Sequence, residues 1–219
     1  MTYFNNLSKV LYNFGDEVTS SVFQNITSYA DLLDDIKDAS SFHEKYTIQQ
    51  GERPDQVSQK FYDTTEHYWT FYLINDHIRL QGWPLSSRKL EEKVKADFPN
   101  TVFTTRNNLT GIFKVGETVS GNSSGASGTI IKRNLDLGQV FVEGTVAFSS
   151  TETMTSSAGA SVTTTGFTQE HNAIHHYENA NKQHVDIDPF NTPSTLLTPI
   201  TNFERYIAEN DLLKQIKLK

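Results

Sequence analysis

Residues Tyr46–Asp76 read YTIQQGERPDQVSQKFYDTTEHYWTFYLIND, and this stretch decides the fold. Tyr46-Thr47-Ile48 is a short β-branched and aromatic run, which reads as a strand. Gln50-Gly51-Glu52-Arg53 breaks the run, and Pro54 stands where a first helical turn begins. Proline suits that place because its missing N–H would be an orphan donor in any case and its φ is preset. Val57 and Phe61, at i and i+4, give this helix one apolar face. Asp63-Thr64-Thr65 interrupts, and a second helix is predicted from about Glu66 to Asn75. It carries Tyr68, Trp69, Phe71, Tyr72, Leu73 and Ile74, which leave almost no polar face, so burial on several sides is expected.

The pattern Y-x-I-x-x-G-[ED]-x-x-x-x-[VI]-[SA]-x-x-[FY]-Y, followed by an apolar helix ending L-x-N, resembles a LysM module. That resemblance implies a βααβ unit of a kind that often binds N-acetylglucosamine polymers. Gly51-Glu52-Arg53-Pro54-Asp55, Tyr68-Trp69, Leu73-Ile74-Asn75-Asp76 and Trp83-Pro84-Leu85-Ser86 together resemble the baseplate wedge protein 53 family of contractile-tailed bacteriophages. The opening Tyr3-Phe4, the segment Asn202-Phe203-Glu204 to Asn210, and Lys214-Gln215-Ile216-Lys217 are similar to that family as well. The resemblance implies a non-enzymatic virion subunit of the tail baseplate, assembled in the host cytoplasm. In such a subunit the LysM-like region and flanking arms bridge neighbouring wedges.

The composition bounds the alternatives. A chain of 219 residues can bury one large core or two small ones. No apolar run approaches the ~20 residues of a membrane span, and MTYFNNLSKV lacks the charged and apolar regions of a signal peptide, so none is expected. Without cysteine, disulfides and thiolate metal sites are excluded. A net charge of −7 argues against a nucleic-acid partner, because a phosphate backbone calls for clustered Lys and Arg.

An α+β fold is expected: residues 1–45 an N-terminal arm, 46–100 a LysM-like βαα core, 101–110 a linker, 111–170 an inserted all-β module, and 171–219 the C-terminal segment. In the arm, Leu32, Leu33 and Ile36 among aspartates read as a short amphipathic helix. The arm either orders on a partner or packs back on its own LysM-like region. His77 to Gly82 reads as a connector, and Trp83-Pro84-Leu85 as extended, because a proline biases the residue before it away from helix. Ser86 or Ser87 can cap a third helix with Leu90 and Val94 on its apolar edge and Pro99 as its stop.

From Thr110 to Gln169 there are seven charged residues and nine of the twelve glycines, between short β-branched runs. That pattern reads as an all-β module, a small barrel or sandwich. It contains an internal repeat: Phe113–Ser120 matches Phe148–Thr155 at an offset of 35 (148 − 113). After a one-residue gap, Ser124–Ser127 matches Ala158–Ser161, with the Gly-Ala pairs expected in tight turns.

His171, His175, His176 and His184 cluster beside Glu170 and Glu178. Glu170, His171 and His175 could converge on a metal only from a helix. Ala173–Glu178 reads instead as a strand with His175 and His176 on opposite faces, so no metal site is assigned. Asp186 and Asp188 read as turn residues. Pro189–Pro199 is an extended connector, and Thr201-Asn202-Phe203-Glu204 is a capping box opening a helix that carries Phe203, Tyr206 and Ile207 on one face. Lys214–Lys219 alternates as a strand that either adds to a neighbouring subunit's sheet edge, the favoured reading, or pairs at home with the inserted β-module.

No nucleophile elbow or zincin motif is present, and Glu52, Asp55, Asp63, Glu66 and Glu91 read as solvated helix faces rather than a glycosidase pair. No catalytic residue and no cofactor is assigned. Two functions remain. The first is the structural wedge subunit, burying Tyr3, Phe4, Phe14, Trp83, Phe203, Tyr206, Ile216 and Leu218 against other wedge subunits and neighbouring copies. On that reading, removing residues 1–13 and 211–219 leaves a folded, assembly-incompetent chain. The alternative is a LysM-type module that binds peptidoglycan.

Overall fold

The computed structural model describes residues 7–15, 19–25 and 43–218. The helix expected at Leu32, Leu33 and Ile36 lies outside the described residues, as do Tyr3 and Phe4. The chain is mixed α/β and divides into two compact units, Met1–Ser87 with Glu209–Lys219 and Arg88–Ala208. Among the described residues no helix is long and apolar enough to cross a membrane.

The first unit begins with an antiparallel hairpin of β1 (Lys9–Tyr12) and β2 (Ser21–Gln24). Then come strand β3 (Glu44–Thr47) and helix α1 (Pro54–Tyr62), which has Pro54 in its first turn as expected. Asp63, in the left-handed region at φ 53°, ends it. A 3-10 turn at Thr65–His67 precedes α2 (Trp69–Ile74), so the second helix is shorter than its sequence implied. Residues read as a connector form another helix, α3 (Asp76–Gln81). The strand partner of β3 comes from the far end of the chain: β13 (Gln215–Leu218) runs antiparallel to it with Ile216 opposite Tyr46. Ile48, Val57, Phe71, Ile78, Ile216 and Leu218 form the buried core. The burial on several sides expected of α2 is seen in part, since every residue from Trp69 to Ile74 is at least partly buried. Phe71 is its one fully buried side chain and Tyr68, just before it, is exposed.

The second unit takes up helix α4 (Ser87–Asp97), with Leu90 and Val94 buried as predicted. Its exposed side carries three i,i+4 ion pairs, Arg88–Glu92, Glu91–Lys95 and Lys93–Asp97. A closed six-stranded barrel follows: β4 (Thr101–Thr105), β5 (Thr118–Gly121), β6 (Ser127–Asn134), β7 (Gln139–Val142), β8 (Thr153–Ser156) and β9 (Ser161–Gln169). Their order around the barrel is β4-β7-β6-β5-β8-β9. Residues 101–110, read as a linker, therefore contain the strand that closes the barrel.

The repeat is visible in three dimensions as two hairpins, β5–β6 and β8–β9. Ser120 and Thr155, equivalent at offset 35, lie directly opposite each other in the β5–β8 ladder, which places a pseudo-two-fold axis through that pair. Val119 opposite Ser156 is then the counterpart of Met154 opposite Gly121. The symmetry extends past the repeat. Strand β7 leaves β6 with a bulge after Ile130, and β4 leaves β9 with a bulge after Thr164, the residue equivalent to Ile130. Thus β4 holds in one half the place that β7 holds in the other, and Phe103 pairs with Val140 where they meet. Phe103, Phe113, Val119, Ile130, Val140, Val142, Met154 and Val162 fill the interior. The two Gly-Ala turns have Gly125 at φ 67° and Gly159 at φ 86°, a region glycine enters without a Cβ penalty.

Beyond the barrel, β10 (Ile174–Glu178) pairs with β11 (His184–Val185) and with β12 (Thr198–Thr201) in the order β11-β10-β12. Pro199, expected in a connector, sits on edge strand β12, where its missing N–H breaks no ladder on the open side. Helix α5 (Asn202–Leu213) starts with the expected box: Glu204 N–H donates to Thr201 Oγ1 at 3.1 Å and Thr201 N–H to Glu204 Oε2 at 2.8 Å.

Candidate interaction surface

In the first unit the family-like motifs hold the chain together locally. Glu52 Oε2 accepts from the Tyr46 hydroxyl at 2.7 Å and from Gln49 N–H at 3.0 Å, and the Glu52 carbonyl accepts from Trp83 Nε1 at 2.7 Å. Burial, reinforced by Glu52, pushes the Tyr46 phenol above its ordinary value. Arg53 pairs with Asp55 at 2.7 Å. Two asparagines fasten the C-terminal segment. Asn75 Nδ2 donates to Lys217 O at 2.9 Å while Lys217 N–H donates to Asn75 Oδ1 at 2.7 Å. In the same way, Leu85 N–H donates to Asn210 Oδ1 at 2.7 Å and Asn210 Nδ2 to Leu85 O at 3.1 Å. Each amide offers one donor and one acceptor to a backbone, as a neighbouring strand would.

The terminal strand is therefore a correction. Favoured as an addition to another subunit's sheet, it pairs within the chain, and Ile216 and Leu218 lie in the core rather than on a surface. The alternation of Ile216 and Leu218 with basic residues fixes one buried face. Which sheet buries it depends on Asn75 and β3, which sequence spacing does not connect. Trp83 is also an internal residue, half-buried against Phe71 and Tyr72. Tyr206 packs edge-on to Phe98 at 5.6 Å with its hydroxyl 3.3 Å from Asp97 Oδ2, and Phe203 is half-buried.

Phe14 is different. It is exposed, edge-on to Tyr12 at 5.0 Å and to Phe23 at 5.6 Å beside the β1–β2 hairpin. Residues paired across an antiparallel ladder share a face. Val10 and Phe23, paired on one face, are 40% and 45% exposed; Leu11 and Val22, paired on the other, are 68% and 59% exposed. The hairpin is apolar on both faces. Two strands alone are marginally stable in water, so an apolar ribbon of this kind gains most from being covered. The sequence carried this signal weakly, as Lys9-Val10-Leu11-Tyr12 and Ser21-Val22-Phe23-Gln24, runs too short to separate from an irregular arm.

In the second unit β10 is a strand, as read, but its facing is corrected. A register shift between Ile174 and His176 makes a bulge at His175 and turns both imidazoles to one side. Their Nδ1 atoms are 3.0 Å apart, His176 Nε2 is 3.1 Å from Glu178 Oε1, and His175 Nε2 is 3.2 Å from Arg205 Nη1. Arginine can only donate, so His175 Nε2 accepts and its proton sits on Nδ1. That proton is donated to His176 Nδ1, and His176 in turn donates from Nε2 to Glu178. Burial first, then Arg205, His176, His184 and Lys132, holds His175 below its ordinary value. Glu170, once considered with His171 and His175, bonds Asn100 Nδ2 at 2.6 Å. Among the described residues no group of three or more His, Cys, Asp or Glu is placed to hold a metal ion.

No protein-family model matches this chain, and no curated protein matches it in sequence.

Proposed function

We propose that the chain is a structural, non-enzymatic subunit whose work is to join other proteins, and that the β1–β2 hairpin is the surface it offers. The exposed apolar ribbon of Val10, Leu11, Val22 and Phe23, extended by Tyr12 and Phe14, carries this reading. The resemblance to the baseplate wedge protein 53 family supports it and supplies the partners: other wedge subunits and neighbouring copies in a contractile phage tail. The strand–helix–helix core closed by β13 supports a LysM-like βααβ unit whose second strand is delivered from the end of the chain. In this reading the core and its asparagine fastenings are a platform, and the N-terminal hairpin is the arm.

The test is co-assembly of the full chain with wedge subunits, comparing it with a Leu11→Ser/Phe14→Ser/Phe23→Ser variant. Loss of co-purification with retained folding is expected. Undiminished assembly of the variant would overturn the proposal. Retention of the unaltered chain on insoluble peptidoglycan, with no wedge co-purification, would replace it with the glycan-binding reading.

A further inference from the structure

The cross-strand pairs of the β1–β2 hairpin fix which side chains share each of its two faces. Val10, Tyr12, Ser21 and Phe23 stand on one face, and Lys9, Leu11, Val22 and Gln24 on the other. Beside the first face, Phe14 packs edge-on against both Tyr12 and Phe23, which makes a three-ring aromatic cluster. On the second, Leu11 and Val22 form an aliphatic pair next to Lys9 and Gln24. Both sides are open: Phe14 is 52% exposed on the aromatic side and Leu11 68% on the aliphatic side. A partner surface lying flat against either face leaves the other in water. Each face offers only four strand side chains, whereas a stable interface takes roughly 20–30 residues a side. Covering both faces in one event adds the second apolar area, while the translational and rotational cost of association is met once. The hairpin is a two-stranded sheet, so both of its edges are open as well. Unpaired N–H and C=O groups are costly in lipid. A protein cleft can hydrogen-bond them and the interior of a bilayer cannot.

We propose that the hairpin is a tongue held in a cleft of a partner protein, one wall of the cleft against the aromatic cluster and the other against Leu11 and Val22. This rests on the reading of the hairpin as the joining surface and adds the kind of partner it fits. That partner presents two facing apolar walls, rimmed by polar groups that meet the open strand edges. A tongue gripped on both sides is fixed in orientation as well as in position.

The chain has no cysteine, so a single introduced thiol reports on one position. Leu11→Cys and Val22→Cys mark the aliphatic face, and Val10→Cys and Phe23→Cys the aromatic one. With a pair on each face, one variant that fails to assemble leaves its neighbour to report. Maleimide labelling rates are compared between the free full chain and the full chain co-assembled with wedge subunits. A thiol reacts only where the reagent reaches it, so positions on both faces are expected to label at least about tenfold more slowly in the complex. Protection of one face with undiminished labelling of the other would overturn the cleft and leave the hairpin as the joining surface. Labelling of both faces as fast as in the free chain would overturn the cleft and that reading together. Equal protection by phosphatidylcholine vesicles, in place of wedge subunits, would assign the hairpin to a lipid surface and overturn the proposal as well.

Discussion

Asn75 closes two hydrogen bonds on the backbone of Lys217, a residue 142 positions further along the chain. The amide is buried at the junction between α2 and α3, and it stands at the edge of β13 that β3 does not cover. An edge of unpaired N–H and C=O groups is a template for unwanted pairing, so this side chain both anchors the strand and blunts it. Asn75→Ala is expected to cost about 1–3 kcal/mol, because it strands a buried backbone donor and acceptor. Hydrogen exchange at the Lys217 amide should accelerate far more than at the barrel amides.

Removing residues 211–219 should not leave a folded first unit, contrary to what the sequence alone led one to expect. The deletion takes away Ile216 and Leu218, both within the core with Val57, Phe71 and Ile78. Truncating either one to alanine is expected to cost about 2–5 kcal/mol. Urea unfolding of Ile216→Ala and Leu218→Ala checks this, and near-neutral effects would show that the strand is dispensable.

The hairpin should behave in the opposite way. Leu11→Ser and Phe23→Ser alter exposed side chains, so stability should change by no more than about 0.5 kcal/mol, while co-assembly is lost. Thermal melts set beside the co-purification yields separate the two effects.

In the barrel, Glu152 is buried yet ionised. It accepts from the N–H groups of Ser123 and Ser124, both at 2.9 Å, and of Ser149 at 2.8 Å. It lies over Gly121, where any Cβ would overlap its carboxylate. Gly121→Ala should therefore displace Glu152, with a loss of about 1–3 kcal/mol from the stranded donors. Combined with Glu152→Gln it should be clearly less than additive, because both changes break the same contact.

Acid should destabilise the second unit in two stages. Burial, with Arg205 and the neighbouring cations, lowers His175 in the folded state below its ordinary 6.5. Between the folded and ordinary values the unfolded chain binds the extra proton, so stability is full above that window and falls as pH drops through it. Burial works against ionisation of Glu152, but its serine hydrogen bonds outweigh this and hold it below 4.5, so its contribution is lost at lower pH by the same reasoning. Stability curves of His175→Gln and Glu152→Gln should lose the upper and lower slopes respectively.

The sequence by itself determined the local elements: Pro54 and the Thr201–Glu204 box start their helices, Leu90 and Val94 mark a buried face, and the offset-35 repeat marks two matching hairpins. Those features depend on neighbours within a few residues, or on self-similarity, and both are written along the chain. Tertiary structure alone decided that β13 pairs with β3, that Thr101–Thr105 closes the barrel, and that a bulge brings His175 and His176 to one side. Alternation tells a strand which face to bury but not which partner buries it. That choice rests on contacts between distant residues, such as Asn75 with Lys217, whose free energy exists only once the chain has folded.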